Sequence, residues 1–577
     1  MEGSRQSQAA PGKIQSGQDK IALMLRSACV AAVAAILLAK LFLVWRINVN
    51  WDEFYFLSNV YSLVRGKLTL LLQGPYTHLF AWIAHMEAQE VDQIISLRAL
   101  MWMLLALSSW LLYRLARRWA TPIGATIAVL AFLSTWPVMK HGSSFRADSM
   151  LLPLTLGALL LAGKDGDRRY GYDIAAGLCL GAAIVLTTKA VLMIPVLVLL
   201  AIFSDTHRMR RNGFRAIWSL GRIGISIGAA ALLAVALLAA HATQLAPDVE
   251  SAGKFAARTV ATALLEVPFL PRADYFRHLV LEDAIYWLML PAGLLVAIRR
   301  RNFAAASCLV SLLPVLFYRN AFPYYYPVML APASVLIALL ADEILRETEY
   351  RGANKIGILA TGVLCLVLAQ HAWEGFMALR FDEQAKQRSI IAAVHKVFPI
   401  PVPYIDHGGM IASFPKANFF MSTWGVEAYL RRGRDFMPEA LEKYRPPLLL
   451  VNHGVLHQGA LLFRQLREVD RQLLASSYVD YWGPLRVAGV DVLIPAGQAT
   501  ITHLPFPGRY RVETSAEILV DGERIKPGET IDTRDSLNVA LKAAPQSLVA
   551  TAVRLVWADA HKPPSKPPPD LPLYSPL

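Results

Sequence analysis

Apolar runs of about twenty residues recur through the first two thirds of this chain of 577 residues. A run of that length crosses the hydrocarbon core of a bilayer as a helix, and soluble domains rarely contain several such runs. Hydrophobic residues make up 55% of the chain and charged residues only 17%, which agrees with this interpretation. We therefore predict a polytopic α-helical membrane protein.

The net charge of +14 does not predict a nucleic-acid partner, because many of the basic residues lie in short loops, where positive charge sets membrane orientation. We count about eleven spans, with the N-terminus inside. The most basic loops then all lie on the cytoplasmic side: 114–118, 164–169, 208–222 and 299–301. The C-terminal region and the loops with the most unusual polar residues lie outside.

Composition divides the chain into five stretches. These are a disordered cytoplasmic tail at 1–20, a transmembrane region at 21–373, an extracytoplasmic α/β domain at 374–499, a small β-sandwich at 500–558 and a Pro-rich disordered end at 559–577. Asp521-Gly522, between two alternating runs, predicts a β-hairpin. The four cysteines lie in apolar segments, which argues against a disulfide framework or a cysteine zinc site.

Two adjacent acids, Asp52 and Glu53, follow directly on the first apolar run and lie among aromatic residues that include Tyr55. A pair of acids is most stable in open water, so its position beside apolar side chains at a membrane surface indicates a function. A carboxylate base must be held near its substrate and partly desolvated. One acid would be the base while the other orients a basic group or a substrate hydroxyl. The alternative is a solvated loop.

Basic residues recur in the predicted outer segments. Arg146 and Asp148 precede the fourth span, and the planar guanidinium of Arg146 suits phosphate or carboxylate. A local Arg–Asp pair that anchors the loop is an equal alternative. Lys189 is the only charge in a long apolar stretch, where its burial costs roughly 3 kcal/mol. We predict that Lys189 contacts phosphate; snorkelling at a helix end is its alternative.

The segment Y-R-N-A-F-P-Y-Y-Y-P at 318–327 adds another outer cation, Arg319, and a run of tyrosines. Tyr324 and Tyr325 would stack on a sugar or line an isoprenoid groove, although an interfacial aromatic belt explains them equally well. His78 and His141 are further candidates for substrate contact, and simple solvation is the alternative for both. Outer cations together with an outer acid predict group transfer from a polyprenyl-phosphate-linked donor, whose leaving phosphate the cations would stabilise.

These features resemble the GT-C superfamily of integral-membrane glycosyltransferases, in the branch of the protein O-mannosyltransferases and lipid A aminoarabinose transferases. The resemblance rests on the acidic pair after the first span, R-x-D at the fourth, the lysine of L-T-T-K-A-V-L and the Tyr-Pro-rich segment. It covers residues 20–373 and implies eleven or more spans in a GT-C-like fold. It also implies that Asp52 is catalytic and that Arg146, Lys189 and Arg319 hold the donor phosphate.

The metal-binding acidic pattern of the oligosaccharyltransferase branch is not matched, because Asp148 has no second acid beside it. We therefore predict no cofactor, with a divalent metal as the alternative. The predicted activity is an inverting sugar transfer at the bacterial inner membrane, from a polyprenyl-phosphate-linked donor to a glycan, lipid or protein acceptor. The rivals are a flippase of lipid-linked sugars, for which we find no pseudo-repeat, and a non-catalytic protein of envelope assembly.

Overall fold

The computed structural model describes residues 17–162, 164, 169–209, 215–246, 269–350, 354–381, 384–533, 537–543 and 550–574. The chain forms two compact units. The first unit consists of Met1–Leu43, Leu100–Leu237 and Phe255–Leu379, and the second of Val44–Ala99, Leu238–Lys254 and Arg380–Leu577.

Helices make up most of the described structure before residue 380. They are α1 (Gly17–Val44), α2 (Trp51–Val64), α3 (Tyr76–Phe80), α4 (Glu90–Ala116), α5 (Pro122–Ser134), α6 (Trp136–His141), α7 (Ala147–Leu161), α8 (Arg169–Leu186), α9 (Ile194–Met209), α10 (Arg215–Ala242), α11 (Ala273–Glu282), α12 (Ala284–Arg299), α13 (Phe303–Ala306), α14 (Pro314–Phe317), α15 (Tyr326–Ala333), α16 (Val335–Tyr350) and α17 (Asn354–Leu379). Short 3₁₀ helices lie at Ala81–His85, Thr188–Met193, Ser307–Leu312 and Pro323–Tyr325.

Over their described residues, the predicted spans coincide with helical structure. We predicted them at 27–45, 97–114, 122–138, 149–163, 174–187, 190–203, 223–241, 284–298, 303–318, 323–341 and 355–373. Among the described residues, four helical segments are long and apolar enough to cross a membrane, and two bent helix pairs raise that number to six: Leu23–Val44, Glu90–Ala116, Leu220–Ala242 and Ile356–Leu379, with the pairs 273–299 and 323–346. The other predicted spans fall on shorter apolar helices. That all eleven cross the membrane stays a prediction.

Close packing of α5 on α16 illustrates how the first unit is held together. Pro122 at the first helical position and the Thr121 side chain, which accepts from Gly124 N at 3.2 Å, start α5. Asp342 of α16 accepts hydrogen bonds from both the backbone N–H and the hydroxyl of Thr121. A Cβ atom on Gly124 would clash with the Asp342 carboxylate and with a backbone carbonyl of α16, so this approach requires glycine.

After residue 380 the second unit contains helices and two sheets. The helices are α18 (Ala385–Val397), α19 (Thr423–Arg432), α20 (Met437–Glu439) and α21 (Glu468–Ser476), with a π-helical turn at Ala440–Tyr444 and a 3₁₀ helix at Leu461–Gln465. The strands are β1 (Tyr404–Ile405), β2 (Leu448–Leu450), β3 (Tyr478–Trp482), β4 (Leu485–Ile494), β5 (Ala499–His503), β6 (Arg509–Thr514), β7 (Ile518–Val520), β8 (Glu523–Ile525), β9 (Thr530–Asp532), β10 (Asn538–Ala543) and β11 (Thr551–Trp557).

The larger sheet has seven strands in the order β1-β2-β4-β11-β6-β9, with β3 also paired to β4, and the smaller has four in the order β5-β10-β7-β8. Apolar side chains of both sheets, such as Val512 and Leu541, are buried in one core. The predicted hairpin is confirmed, because β7 and β8 pair across Asp521 and Gly522, which both have positive φ.

Two features of the C-terminal region differ from the expectations. Strand β4 pairs with β11, so the larger sheet is continuous across residues 499 and 500, where composition suggested a domain boundary. The Pro-rich segment, expected to be disordered, lies along the second unit. Its backbone carbonyls at Lys566 and Leu571 accept hydrogen bonds from Trp482 and Lys386, at 3.0 and 2.7 Å. Hydrogen bonds from these polar side chains fix an extended chain that has no core of its own.

Candidate functional site

The predicted acidic pair lies in the first turn of α2, which begins with a capping box. The Asn50 side chain accepts a hydrogen bond from Asp52 N at 3.0 Å, and the Glu53 carboxylate accepts one from Asn50 N at 3.1 Å. Such reciprocal bonds satisfy backbone N–H groups that lack a partner within the helix. The sequence N-W-D-E therefore fixes the start of α2 and holds both acids where the helix dipole favours negative charge.

Glu53 forms a buried ion pair with Arg98; the two residues are 0% and 4% exposed. Arg98 Nε donates to Glu53 Oε1 at 2.8 Å, and a second guanidinium nitrogen donates to Oε2. The same guanidinium donates to the carbonyl oxygens of Ile47 at 2.7 Å and Asn48 at 3.0 Å. With the bond from Asn50, three N–H groups converge on the Glu53 carboxylate, so this acid is suited to holding the segment before α2.

Asp52 has different surroundings. Its side chain is half-buried, and one turn later in α2 the ring of Tyr55 stacks on Phe420, with 4.2 Å between the centroids. Burial raises the pKa of the Tyr55 hydroxyl, and the negative charge of Asp52 acts in the same direction. Asp52 is thus a carboxylate beside aromatic rings that still reaches solvent, as a general base requires.

Three side chains from the C-terminal region surround Trp51, the residue before Asp52. The Trp51 ring meets His407 at 5.7 Å, His453 at 6.1 Å and Tyr574 at 5.7 Å, each edge to face. The two histidines stack on each other at 3.9 Å. Sequence reasoning did not identify them because they are remote from α2 along the chain. The only available signals were the D-H-G-G and N-H-G sequences that contain them.

Two glycines let the loop that carries His407 approach α2. A Cβ atom on Gly408 would lie 3.2 Å from the Trp51 Cβ atom. Gly409 has φ +77, and a Cβ atom there would lie 2.8 Å from the Ser58 hydroxyl. Both a left-handed backbone and a close approach are tolerated by glycine alone.

The fully buried Asp406 holds this loop through hydrogen bonds to its backbone. Its carboxylate accepts hydrogen bonds from the backbone N–H groups of Gly409 and Met410, both at 2.8 Å, and from Asn452 at 3.0 Å. Lys416 Nζ lies 2.6 Å from the same carboxylate. Although burial raises the pKa of Asp406, the Lys416 charge and these hydrogen bonds hold it below the ordinary value. The loop is therefore rigidly held around an ionised carboxylate.

His78, predicted as a substrate contact, takes part in a histidine pair of the second unit. His78 Nε2 lies 2.7 Å from His241 Nδ1, and His241 Nε2 lies 2.8 Å from the carbonyl oxygen of Leu70. Since a carbonyl only accepts, His241 Nε2 donates to it, and His78 Nε2 must donate to His241 Nδ1. Burial lowers the pKa of His78, and the neighbouring histidine lowers it further.

In the first unit, two of the predicted basic residues converge on Asp148. Lys189 Nζ lies 2.9 Å from one Asp148 oxygen, and Arg146 Nε lies 3.7 Å from the other. Arg146 is the residue before α7, Asp148 lies in the first turn of α7, and Lys189 belongs to the 3₁₀ segment between α8 and α9. The three side chains are 5–12% exposed. Both anchoring of helices and anion binding are compatible with such a buried cluster.

Tyrosines of the predicted Tyr-Pro segment complete this cluster. The Arg146 guanidinium lies over the Tyr324 ring at 3.5 Å, and Lys189 Nζ is 4.8 Å from the same ring. The Tyr325 hydroxyl donates to the Lys189 carbonyl oxygen at 3.2 Å. His141 meets Tyr324 edge to face at 6.3 Å.

Arg319 belongs to the same Tyr-Pro segment as Tyr324 and Tyr325. Its carbonyl oxygen contacts another arginine. Arg272 Nε donates to the Arg319 carbonyl oxygen at 2.9 Å, and the Arg272 guanidinium lies 4.3 Å from the Phe322 ring. Phe322 in turn stacks on Tyr324, with 5.6 Å between the centroids. Arg272 is thus a further cation that the sequence analysis did not select.

The predicted site residues therefore form two groups. The first unit contains Arg146, Asp148, Lys189, Tyr324, Tyr325, His141 and Arg319. The second unit contains Asp52, Glu53, Tyr55 and His78. Among the residues that the structure describes, no group of three or more His, Cys, Asp or Glu side chains is arranged to hold a metal ion.

Comparison with known proteins supports the fold and the resemblance. Residues 73–233 match the family model described as dolichyl-phosphate-mannose-protein mannosyltransferase, which covers rather more than a quarter of this chain. That range includes Arg146, Asp148 and Lys189 and begins after Asp52. No curated protein matches the sequence.

Two solved structures of ArnT from Cupriavidus metallidurans are similar in fold to most of this chain. The apo structure has a TM-score of 0.53 at 14% identity and covers 80% of this chain and 97% of its own. The structure bound to undecaprenyl phosphate has a TM-score of 0.50 at 14% identity, with coverages of 70% and 88%. These matches show a similar fold, a helical bulk with a C-terminal sheet region. Together with the family model they agree with the predicted resemblance.

Proposed function

We propose that this protein is an integral-membrane glycosyltransferase that transfers a sugar from a polyprenyl-phosphate-linked donor to an acceptor outside the cytoplasm. The observation that carries the proposal is the convergence of Arg146 and Lys189 on Asp148 and the Tyr324 ring. The names of the matched proteins support it, because one family uses a dolichyl-phosphate sugar and one ArnT structure holds undecaprenyl phosphate.

In this proposal, Arg146 and Lys189 bind the donor phosphate. A guanidinium binds phosphate oxygens in a fork, and an ammonium adds a compact charge. Asp148 holds both cations in position in the buried cluster, and Tyr325 fixes the backbone of Lys189. Tyr324 and His141 would contact the sugar or the isoprenoid, and Arg319 would add charge as the phosphate leaves.

Asp52 is the proposed general base. It removes the proton from an acceptor hydroxyl, and the acceptor oxygen forms a bond to the anomeric carbon of the donor sugar. The bond between that carbon and the phosphate oxygen breaks, and its electron pair leaves with the polyprenyl phosphate. Attack opposite the leaving group inverts the configuration of the sugar.

Glu53 is proposed as a positioning residue. Its carboxylate is bound to Arg98 and to the Asn50 N–H, so it orients a basic group and fixes the turn that carries Asp52. This is the division of roles that the sequence analysis allowed for the pair. Tyr55 and His78 remain proposed contacts of the acceptor or donor sugar in the second unit.

The proposed location is the bacterial inner membrane, with the C-terminal region outside the cytoplasm. Cysteines introduced at Lys526 and Arg299 test this orientation, because both residues are exposed and lie on opposite predicted sides. An impermeant maleimide should label the 526 variant in intact cells and the 299 variant only after permeabilisation. The reverse pattern would exclude the proposed orientation.

The activity is tested by mass analysis of envelope glycolipids and glycans from cells with the wild type, with no protein and with Asp52→Asn. We expect one glycosylated species to disappear both without the protein and in Asp52→Asn. Asp274→Asn, an exposed acid of α11, is the matched control and should leave that species unchanged. Full glycosylation with Asp52→Asn would refute the role of Asp52.

Donor binding is tested with undecaprenyl phosphate and purified protein. We expect Lys189→Ala and Arg146→Ala to weaken binding at least tenfold, and Lys189→Arg to retain most of it, because the site requires charge. Lys140→Ala, a cation of α6 that contacts the Trp136 ring, serves as the control. Wild-type affinity in Lys189→Ala would mean that the cluster only anchors helices.

A further inference from the structure

The loop of His407 and the start of α2 form a surface of which the proposed function uses only Tyr55. Its rings belong to Trp51, Tyr55, Phe420, His407, His453 and Tyr574, which we call the histidine–aromatic cluster. All of them except His407 are partly exposed. Partly exposed rings of this kind, with few polar atoms among them, are the usual lining of small-molecule sites.

One buried polar atom of the cluster calls for an explanation. His407 is 2% exposed, and its Nδ1 atom has no hydrogen-bond partner among the described residues. Buried polar atoms in native proteins are nearly always hydrogen-bonded, so an exception indicates a functional or ligand contact. The ring itself lies within the cluster, 5.9 Å from Phe420 and 3.9 Å from His453.

The backbone of His407 is held in place independently of its ring. Its N–H donates to Asn452 Oδ1 at 3.0 Å, and its carbonyl oxygen accepts from Met421 N at 3.1 Å. Asn452 also donates to the Tyr574 hydroxyl at 3.2 Å. The loop thus presents an imidazole in one orientation, as a recognition site requires.

The cluster carries little charge. Burial and the neighbouring His453 lower the pKa of His407 to about 3, so its ring is neutral at physiological pH. Burial also lowers the pKa of His453. Lys416, at the base of the loop, is bound to Asp406. A neutral imidazole offers one donor and one acceptor, which matches a hydroxyl group rather than a phosphate or a carboxylate.

We propose that the histidine–aromatic cluster binds an uncharged sugar ring of the acceptor, with its C–H face on the aromatic rings and a hydroxyl bonded to His407. The acceptor is then a glycan or the glycan part of a glycolipid, and the C-terminal region selects it. This inference rests on the proposed function, because the sugar is held in the same unit as Asp52, beside its sequence neighbour Trp51.

Direct binding tests the inference separately from sugar transfer. Neutral oligosaccharides released from the envelope of cells that lack the protein are added to the purified full chain, and contacts are measured by saturation-transfer NMR. We expect the wild type and Asp52→Asn to bind alike. Phe420→Leu and His453→Ala, which alter partly exposed rings, should weaken binding at least tenfold and leave undecaprenyl phosphate binding unchanged.

His407→Leu adds a readout that a purely structural histidine would not give. It removes a buried polar atom that lacks a partner, so the variant should melt at or above the wild-type temperature while its oligosaccharide binding falls. Equal binding by wild type, Phe420→Leu and His453→Ala would overturn the inference. Oligosaccharide binding without any sugar transfer would instead refute the proposed function alone.

Discussion

The two acids of α2 are expected to respond differently when each is replaced by its amide. Glu53→Gln removes the charge that neutralises Arg98, which is 4% exposed. Two N–H groups of Arg98 and one of Asn50 converge on the Glu53 carboxylate, but an amide has a single oxygen. At least one of these donors would then face the amide NH₂ group.

Loss of one partner from a buried ion pair destabilises a protein by about 3–5 kcal/mol. Arg98 keeps its bonds to the carbonyls of Ile47 and Asn48, so we expect the lower end, about 3 kcal/mol. At about 2 °C per kcal/mol, the melting temperature falls by roughly 6 °C. Asp52→Asn removes a favourable charge at the helix N-terminus, which amounts to less than about 1 kcal/mol.

The assay compares thermal unfolding of both variants in one detergent with sugar transfer in membranes. Asp52→Asn should melt like the wild type and transfer no sugar, whereas Glu53→Gln should melt early and retain some transfer while folded. The double variant Glu53→Gln/Arg98→Gln should be more stable than Glu53→Gln alone, because the buried charge is gone. An unchanged melting temperature of Glu53→Gln would refute its structural role. Folded Glu53→Gln without sugar transfer, together with an active Asp52→Asn, would refute the assignment of Asp52 as the base.

Three further predictions concern the loop of His407 and the cluster around Asp148. The pKa of His407 is lowered to about 3 in the folded protein, so unfolding takes up a proton at this residue when the pH falls below about 6.5. At pH 5 the free energy of unfolding of the wild type should therefore be lower by about 2 kcal/mol. The melting temperature of His407→Leu should lack this part of the pH dependence, and an equal pH dependence in both proteins would contradict the prediction. Gly409→Ala places a Cβ atom at φ +77 and against Ser58, and it should destabilise the protein by about 2 kcal/mol or more. Gly459→Ala, at φ +87 with no atom within 4 Å of the added Cβ, should destabilise it by about 1 kcal/mol. Equal melting temperatures of the two variants would exclude the close approach of Gly409 to Ser58. Asp148→Asn should lower the melting temperature, because it removes the carboxylate between two buried cations. Undecaprenyl phosphate should raise the melting temperature more in this variant than in the wild type, because its phosphate replaces the lost negative charge. An equal increase in both proteins would argue against a phosphate site.

The helical part of the chain was predictable because the signal is local. Hydropathy and the basic loops placed the predicted spans on helices. What hydropathy does not reveal is tertiary burial. Lys40, near the end of α1, is fully buried and donates to the Met139 carbonyl oxygen at 2.5 Å.

The candidate site was predictable where a residue's type and its position together imply a free-energy cost of burial. Lys189 stood out because a charge in an apolar segment needs a partner. Arg146 and Asp148 stood out in the loop before the fourth span because a guanidinium suits phosphate. The three side chains are found together. His407 and His453 lie in the C-terminal region, outside the predicted spans, where histidine is unremarkable. Only the tertiary contacts of Trp51 give them significance, and no local pattern reports such contacts.

Helix geometry explains why two adjacent acids have separate tasks. Successive residues of an α-helix point about 100° apart, so neighbours in sequence do not face each other. Glu53 therefore points inward to Arg98, while Asp52 remains half-buried near Tyr55. The inward acid fixes the turn through three hydrogen bonds, and the outward acid gains a fixed position without losing access to solvent. A base needs both conditions, and neither acid could meet both alone.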